Sequence, residues 1–153
     1  MQIDIGFGDS ICPEASEIQF PSILALPTAR LKAYPPETVI AEKVEAMITL
    51  GMANSRMKDF FDVYKLSREF EFDGKVLMEA IGSTFARRKT EIPDQMPLAF
   101  TEEFSKDSNK NIQWKAFLRK NDLEAKLPNS DLHYVIQHIH NFITTVFLML
   151  KRM

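Results

Sequence analysis

The chain changes character at Pro35 and Pro36, and this change limits what it can fold into. Before the two prolines, apolar residues alternate in short runs that glycine and proline interrupt, a pattern typical of strands and turns. After them, apolar residues recur at helical spacing almost to the end of the chain. We therefore predict an α+β, mainly helical protein with two parts, residues 1–34 and residues 35–153.

Three short runs predict strands in the first part. They are Met1–Gly8, the EIQF run within Glu17–Leu26, and Ala29–Tyr34. Three short strands do not form a stable domain on their own. We expect them to be the end of a sheet whose beginning lies elsewhere.

Capping residues and apolar periodicity predict the helices of the second part. Pro36 suits the first helical turn, and Gly51 suits the position after the last one, so the first helix should be Pro36–Leu50. A serine at position 130 is expected to cap the last helix. The other predicted helices run from Asn54 or Ser55 to Phe70, over Gly74–Arg88 behind Asp73, over Leu98–Phe104, over Asn111–Asn121 and over Asp131–Lys151.

Composition excludes several classes of protein. The chain has 153 residues and a formal net charge of −2, so no overall charge favours binding to nucleic acid or an anionic membrane. Its single cysteine, Cys12, has no partner for an internal disulfide. The most apolar run, Phe142–Leu150, is shorter than the roughly 20 residues that span a bilayer. We expect a cytoplasmic protein without membrane contact.

Three charged residues fall in the predicted buried arcs of the first two helices. At about 100° per residue, Lys43 falls between Leu50 and Met47, while Arg56 and Asp59 fall among the apolar residues of the next helix. Glu42, Glu45 and Thr49 fall on the opposite, polar side of the first helix. An unpaired charge in a core is unfavourable by on the order of several kcal/mol, so these residues need partners.

Two interpretations of these charges stay open. In the first, Arg56 pairs with Asp59 at a spacing of three residues, and Lys43 extends its ammonium to the rim of the packed face. In the second, Lys43, Arg56 and Asp59 line a cleft, and Asp4 faces it from the first strand.

The segment PPETVIAEKVEAMITLGMANSRMKDFFDVYKL, Pro35–Leu66, resembles the AbiEii/AbiGii toxin family of nucleotidyltransferases. The segment IDIGFGD, Ile3–Asp9, is similar to the strand and turn that precede it in that family, and the apolar last helix fits the family's helical end. The resemblance implies the remnant of a polymerase-β-like nucleotidyltransferase sheet followed by a helical bundle.

The resemblance also implies roles for single residues. Asp4 resembles a metal-facing carboxylate, Lys43 resembles the lysine that contacts nucleotide phosphates, and Asp59 resembles a catalytic or structural aspartate. The resemblance assigns substrate binding to Arg56, Lys58 and Asp62. Nucleotidyl transfer uses carboxylates that hold Mg²⁺ and fixed cations that stabilise phosphate charge. The implied ligands and partners are an NTP, Mg²⁺, an RNA or protein acceptor, and an antitoxin protein.

Two family motifs are missing from the chain. A Gly-Gly or Gly-Ser turn followed by D-x-D does not precede Asp4, and one carboxylate does not assemble a two-metal site. Two hypotheses follow. The chain is the C-terminal part of a toxin that binds NTP with Mg²⁺ and transfers a nucleotide, or it is an inactive truncated homologue that acts as a partner-binding or homodimerisation module.

Two other groups of residues are weaker candidates. The histidines of the last helix, His133, His138 and His140, lack the i, i+4 spacing of helical metal sites, so we expect surface or core roles for them. Two basic clusters are expected to be solvated faces, with RNA contact as the alternative. They are Arg87, Arg88 and Lys89, and Lys115, Arg119 and Lys120, the latter near the aromatic rings of Trp114 and Phe117.

Overall fold

The computed structural model describes residues 11–22 and 27–152. In this part of the chain a short hairpin precedes a helical bundle, so the predicted mainly helical α+β class is confirmed. The predicted strand Met1–Gly8, with Asp4, lies outside the described residues, and the division after residue 34 stays a prediction. The strands are β1 (Ser16–Phe20) and β2 (Ala29–Ala33), and the α-helices are α1 (Pro36–Leu50), α2 (Met57–Glu69), α3 (Gly74–Arg88), α4 (Glu102–Lys106), α5 (Ser108–Lys120) and α6 (Leu132–Leu150).

The hairpin has one apolar face and one charged face. β1 and β2 pair antiparallel, with Ile18 opposite Leu31 and Glu17 opposite Lys32. Because side chains alternate along a strand, Phe20 lies on the same face as Ile18 and Leu31. All three of these apolar residues are exposed. Two strands alone are marginally stable in water, and this apolar face stays about half exposed among the described residues.

A pair of hydrogen bonds fixes the segment before the hairpin to α1. The Thr38 hydroxyl donates to the carbonyl oxygen of Cys12 over 2.8 Å and accepts from the Cys12 N–H over 3.2 Å. Thr38 is buried in the first turns of α1. The segment before β1 is therefore held against the start of α1.

The bounds of α1 and α3 agree with the sequence prediction, because strong local signals delimit both helices. Asp73 caps α3, and its carboxylate accepts from the N–H groups of Lys75 and Val76. The predicted Ser130 cap of α6 was wrong. Asp131 caps that helix by accepting from the His133 N–H, while the Ser130 carbonyl accepts from the Trp114 indole.

Three other helices differ from their predicted extents. α2 begins at Met57 rather than at Asn54 or Ser55. α5 begins at Ser108 rather than Asn111, because the Asp107 side chain accepts from the Lys110 N–H and starts the helix earlier. The predicted helix Leu98–Phe104 is divided into a 3₁₀ turn over Leu98–Phe100 and the short helix α4.

The core lies between α6 and the helices that surround it. α6 packs against α2, α3 and α4, while α1 packs against α3 and α2. The largest fully buried side chains include Trp114, Tyr64, Phe60, Phe85 and Phe100. One continuous core thus connects both helices that carry the candidate charges with the C-terminal helix.

Four residues of α1 and α2 differ from the burial that the sequence predicted. Leu50 is exposed at the end of α1, whereas Glu45 is buried, because the end of α3 packs across the face that carries Glu45. Phe70 is exposed because α2 ends at Glu69. The Arg56 side chain is also exposed because it precedes the first turn of α2, although Asp59 is buried as predicted.

Candidate functional site

A lysine on α1 bridges two aspartates on α2. Lys43 Nζ lies 2.8 Å from Asp59 Oδ1 and 2.8 Å from Asp62 Oδ2. Asp59 and Asp62 are three residues apart, so one helical turn directs both carboxylates toward α1. The exposed fraction is 18% for the Lys43 side chain and 4% for that of Asp59, so water screens this pair only weakly.

Two further cations surround these carboxylates. Arg56 Nε lies 2.9 Å from Asp59 Oδ2. The two groups form an ion pair, but their geometry is not that of a hydrogen bond, and Asp59 Oδ2 accepts no hydrogen bond from the described residues. Lys58 Nζ lies 2.5 Å from Asp62 Oδ2. Three cations therefore share two carboxylates, and the cluster keeps an excess positive charge.

The structure combines the two interpretations of these charges. Arg56 does pair with Asp59, as the first interpretation expected. Lys43 and Arg56 also line one cleft, as the second expected, whereas Asp59 does not line it. Asp4, the fourth residue of that interpretation, lies outside the described residues.

The environment of Lys43 keeps its ammonium charged. Burial alone would lower the pKa of Lys43, but the hydrogen bonds that its ammonium donates to Asp59 and Asp62, together with the negative charges of these carboxylates, oppose this effect, and the pKa is raised above its ordinary value. A lysine in this state does not act as a general base at neutral pH, since it has no free lone pair. It is a fixed positive charge.

The cleft beside this cluster has a volume of about 290 Å³. Seven residues line it, Tyr34, Val39, Glu42, Lys43, Ala46, Arg56 and Arg88. Three cations and a single carboxylate among them favour an anionic ligand. Lys58 and Asp59 line a separate open groove of about 480 Å³ between the start of α2 and α5.

Sequence reasoning missed the contribution of α3 to this cleft. Arg88 forms ion pairs with Glu42 and with Glu45, whose carboxylate also accepts from the Thr49 and Thr90 hydroxyls. The polar side of α1 therefore packs against the end of α3 instead of water. The signal in the sequence was the pairing of an acidic stripe on α1 with basic residues at the end of α3, which are separated by more than 40 positions.

The described residues do not form a site for Mg²⁺. The carboxylates of Asp59 and Asp62 already bind Lys43, Arg56 and Lys58. No group of three or more potential ligands among the residues that the structure describes is arranged to hold a metal ion. Asp4, which the resemblance assigns to the metal, is outside that part of the chain.

Each histidine of α6 has its own hydrogen-bond partner. His133 Nδ1 lies 2.9 Å from Ser105 Oγ, and His140 Nδ1 lies 3.0 Å from the Phe100 carbonyl oxygen. His138 Nε2 lies 3.0 Å from the Ser67 hydroxyl. These contacts connect α6 to three different parts of the bundle.

Acidification is expected to destabilise the protein through His138. Burial and the positive charge of Arg68 lower the pKa of His138 below its ordinary value of 6.5. Below its ordinary pKa, His138 therefore binds a proton more readily in the unfolded chain than in the folded one. The stabilisation that neutral His138 gives the fold is present above about pH 6.5 and is lost as the pH falls through the folded-state pKa. Urea unfolding at pH 7.5 and pH 5.5 measures the loss. His138→Gln should reduce the difference between the two pH values, and an equal difference in both proteins would contradict the prediction.

The two basic clusters have different environments. Arg87 and Arg88 form ion pairs with α1, so this cluster helps to hold the bundle together. Lys115 and Lys120 are exposed on α5. Trp114 is buried under that helix, which excludes it from stacking on an RNA base in this structure.

Comparison with known protein families gives a match over most of the chain. No helix in the described part of the chain is both long and apolar enough to cross a bilayer. Searches of curated proteins and of solved structures find no match. Residues 1–135 match the model of a family described as nucleotidyl transferase AbiEii toxin, type IV toxin–antitoxin system. Since this match covers most of the chain, including the Lys43 cluster, the protein belongs to the AbiEii family of nucleotidyl transferase toxins.

Proposed function

We propose that the chain binds the phosphates of an NTP in the cleft between α1 and the start of α2, as part of a toxin that transfers a nucleotide to an acceptor. One observation carries the proposal: the Lys43 ammonium lines this cleft and is held by Asp59 and Asp62. Membership of a nucleotidyl transferase family supports the reaction type.

Fixed cations suit this chemistry. In nucleotidyl transfer an acceptor group attacks the α-phosphorus, pyrophosphate leaves, and negative charge develops on the phosphate oxygens. Lys43 and Arg56 would stabilise this charge, because preorganised cations need little rearrangement during the reaction. Asp59 and Asp62 would position Lys43. Lys58, on the outer side of Asp62, would contribute charge near the bound substrate.

Three parts of the proposal rest on the resemblance. They are Mg²⁺, for which Asp4 would be a ligand, the RNA or protein acceptor, and an antitoxin as partner. In this proposal the cleft between α1 and the start of α2 supplies nucleotide binding, so the decisive experiment measures binding and does not require turnover.

Calorimetric titration of the full chain with each of the four NTPs in MgCl₂ tests the proposal. Lys43→Met should weaken the binding of the preferred NTP by roughly 10- to 100-fold, the loss expected for one charge-assisted hydrogen bond of about 1.5–3 kcal/mol. Lys75→Met removes an exposed lysine from α3 and should leave the affinity within about twofold. Absence of binding to all four NTPs, or equal affinity of the Lys43→Met variant and the wild type, would contradict the proposal.

The exposed hairpin face supports a second candidate, an inactive module that forms a homodimer. Ile18, Phe20 and Leu31 present an apolar strip beside strand edges that are unpaired in the described sheet, and both features recruit a second chain. Light scattering at increasing protein concentration tests this candidate. A monomer mass at all concentrations, in a protein that binds NTP, would refute it, and a mixture with the antitoxin would reveal that partner instead.

A further inference from the structure

Lys110, in the first turn of α5, has an unusual environment for a lysine. The residue is 5% exposed. Its ammonium donates to the Asn54 carbonyl oxygen over 2.8 Å and lies 5.3 Å from the centre of the Phe104 ring. No carboxylate pairs with it in the described ranges 11–22 and 27–152. Burying an ammonium without a counter-ion is unfavourable, so we expect the contact between Lys110 and Asn54 to have a specific role.

The residue that Lys110 contacts controls the start of α2. Asn54 is fully buried and lies just before this helix. Its backbone oxygen accepts from Lys110, and its side-chain Oδ1 accepts from the Arg56 N–H over 2.8 Å. Arg56, the residue before the first turn, provides no side-chain cap of its own. Asn54 is therefore the side chain that binds a backbone N–H at this end of α2, and Lys110 fixes Asn54.

A second route connects Lys110 to the same turn. The Phe104 ring under its ammonium stacks on Phe60, with 5.0 Å between the ring centres. Phe60 follows Asp59 directly in the sequence. Lys110 is therefore connected to the first turn of α2 indirectly, through the backbone at Asn54 and through the Phe104–Phe60 pair.

We propose that Lys110 is a positioning residue for the nucleotide site. By holding the backbone at Asn54, it places Arg56 where it pairs with Asp59, and Asp59 where it pairs with Lys43. Lys110 itself does not line the cleft. The inference rests on the proposed function only for its effect on nucleotide affinity, because its effect on Lys43 is measured without ligand.

NMR of the Lys43 side chain in the ligand-free full chain tests this proposal. Lys110→Met keeps most of the side-chain volume and removes the donor to Asn54. In this variant the Lys43 Nζ resonance should shift. The titration of Lys43 should also move to lower pH, because the Asp59 carboxylate no longer lies at ion-pair distance from the ammonium. Lys115→Met is the matched control, since it removes an exposed cation from the same helix, and its Lys43 signals should stay unchanged.

Nucleotide affinity provides the second measurement. At a temperature where circular dichroism shows each protein to be folded, Lys110→Met should weaken NTP binding at least fivefold, and Lys115→Met should not. Should Lys110→Met fail to fold, Asn54→Ala removes the hydrogen bond to Arg56 alone and should shift Lys43 in the same direction.

The outcomes separate the two proposals. If the wild-type chain does not bind NTP but the Lys110→Met substitution shifts the Lys43 signals, the proposed function is wrong and the positioning role stands. A folded Lys110→Met or Asn54→Ala variant with unchanged Lys43 signals would overturn the positioning role and leave Lys110 a purely structural residue.

Discussion

Replacing Asp59 by asparagine is expected to lower the free energy of unfolding by about 3 kcal/mol, the lower end of the range for breaking a buried ion pair. The substitution keeps the shape of the side chain and removes the charge that Lys43 and Arg56 share. The effect is at the lower end because Lys43 keeps its contact with Asp62. Urea unfolding followed by circular dichroism measures the change.

Asp62→Asn is the matched control for this experiment. Its side chain is 21% exposed against 4% for Asp59, so water screens its charge more strongly and the loss of stability should be smaller than for Asp59→Asn. The double variant Lys43→Met/Asp59→Asn should be more stable than the sum of the two single changes predicts, since each group is unfavourable without its partner. Equal losses for Asp59→Asn and Asp62→Asn would contradict the burial of this pair.

Replacing Trp114 by alanine is expected to have the largest effect on stability, about 3–5 kcal/mol. The indole is 1% exposed, and its Nε1–H donates to the Ser130 carbonyl over 2.7 Å. The variant loses buried area and also leaves a carbonyl without its donor. Domains of this size are stable by about 5–15 kcal/mol, so much of the variant should unfold well below the midpoint of the wild type.

The measurement for Trp114→Ala has to use circular dichroism. Trp114 is the only tryptophan of the chain, so its replacement removes the usual fluorescence signal. Ile112→Ala on the same helix is the control, because that side chain is 66% exposed and its loss should change stability by about 0.5 kcal/mol or less. Similar midpoints for the two variants would mean that α5 does not pack as described.

Local signals in the sequence were sufficient for much of the fold. Proline at the start of α1, glycine at its end and the Asp73 cap of α3 act within one turn of the residues they delimit, so they can be found without tertiary information. The same holds for Asp59, whose position in the apolar arc of α2 marked it as buried.

Contacts between distant segments account for the errors at Glu45 and Arg56. Glu45 belongs to a polar stripe on α1, and only the packing of Arg88 and Thr90 against it explains its burial. The exposure of Arg56 depends on where α2 begins, and Asn54 sets that point with help from Lys110 on α5. Periodicity within one helix contains no information about either contact.

The candidate site was found by two routes of different strength. Periodicity predicted that Lys43, Arg56 and Asp59 fall in buried arcs. The prediction of burial was wrong for Arg56, but the structure brings these three residues together. Their roles come from the family resemblance and stay predictions, as do those of Lys58 and Asp62. Lys110 was missed because a lone lysine in a polar helix gives no sign of burial.

In the proposed nucleotide site, the carboxylates that hold Lys43 would also limit how strongly it attracts a phosphate. An incoming phosphate competes with Asp59 and Asp62 for the same ammonium, and it meets their negative charge at short range. The resting site is thus partly self-neutralised. A ligand held in this way should dissociate quickly and should bind less tightly as ionic strength rises, which would favour rapid exchange over long residence.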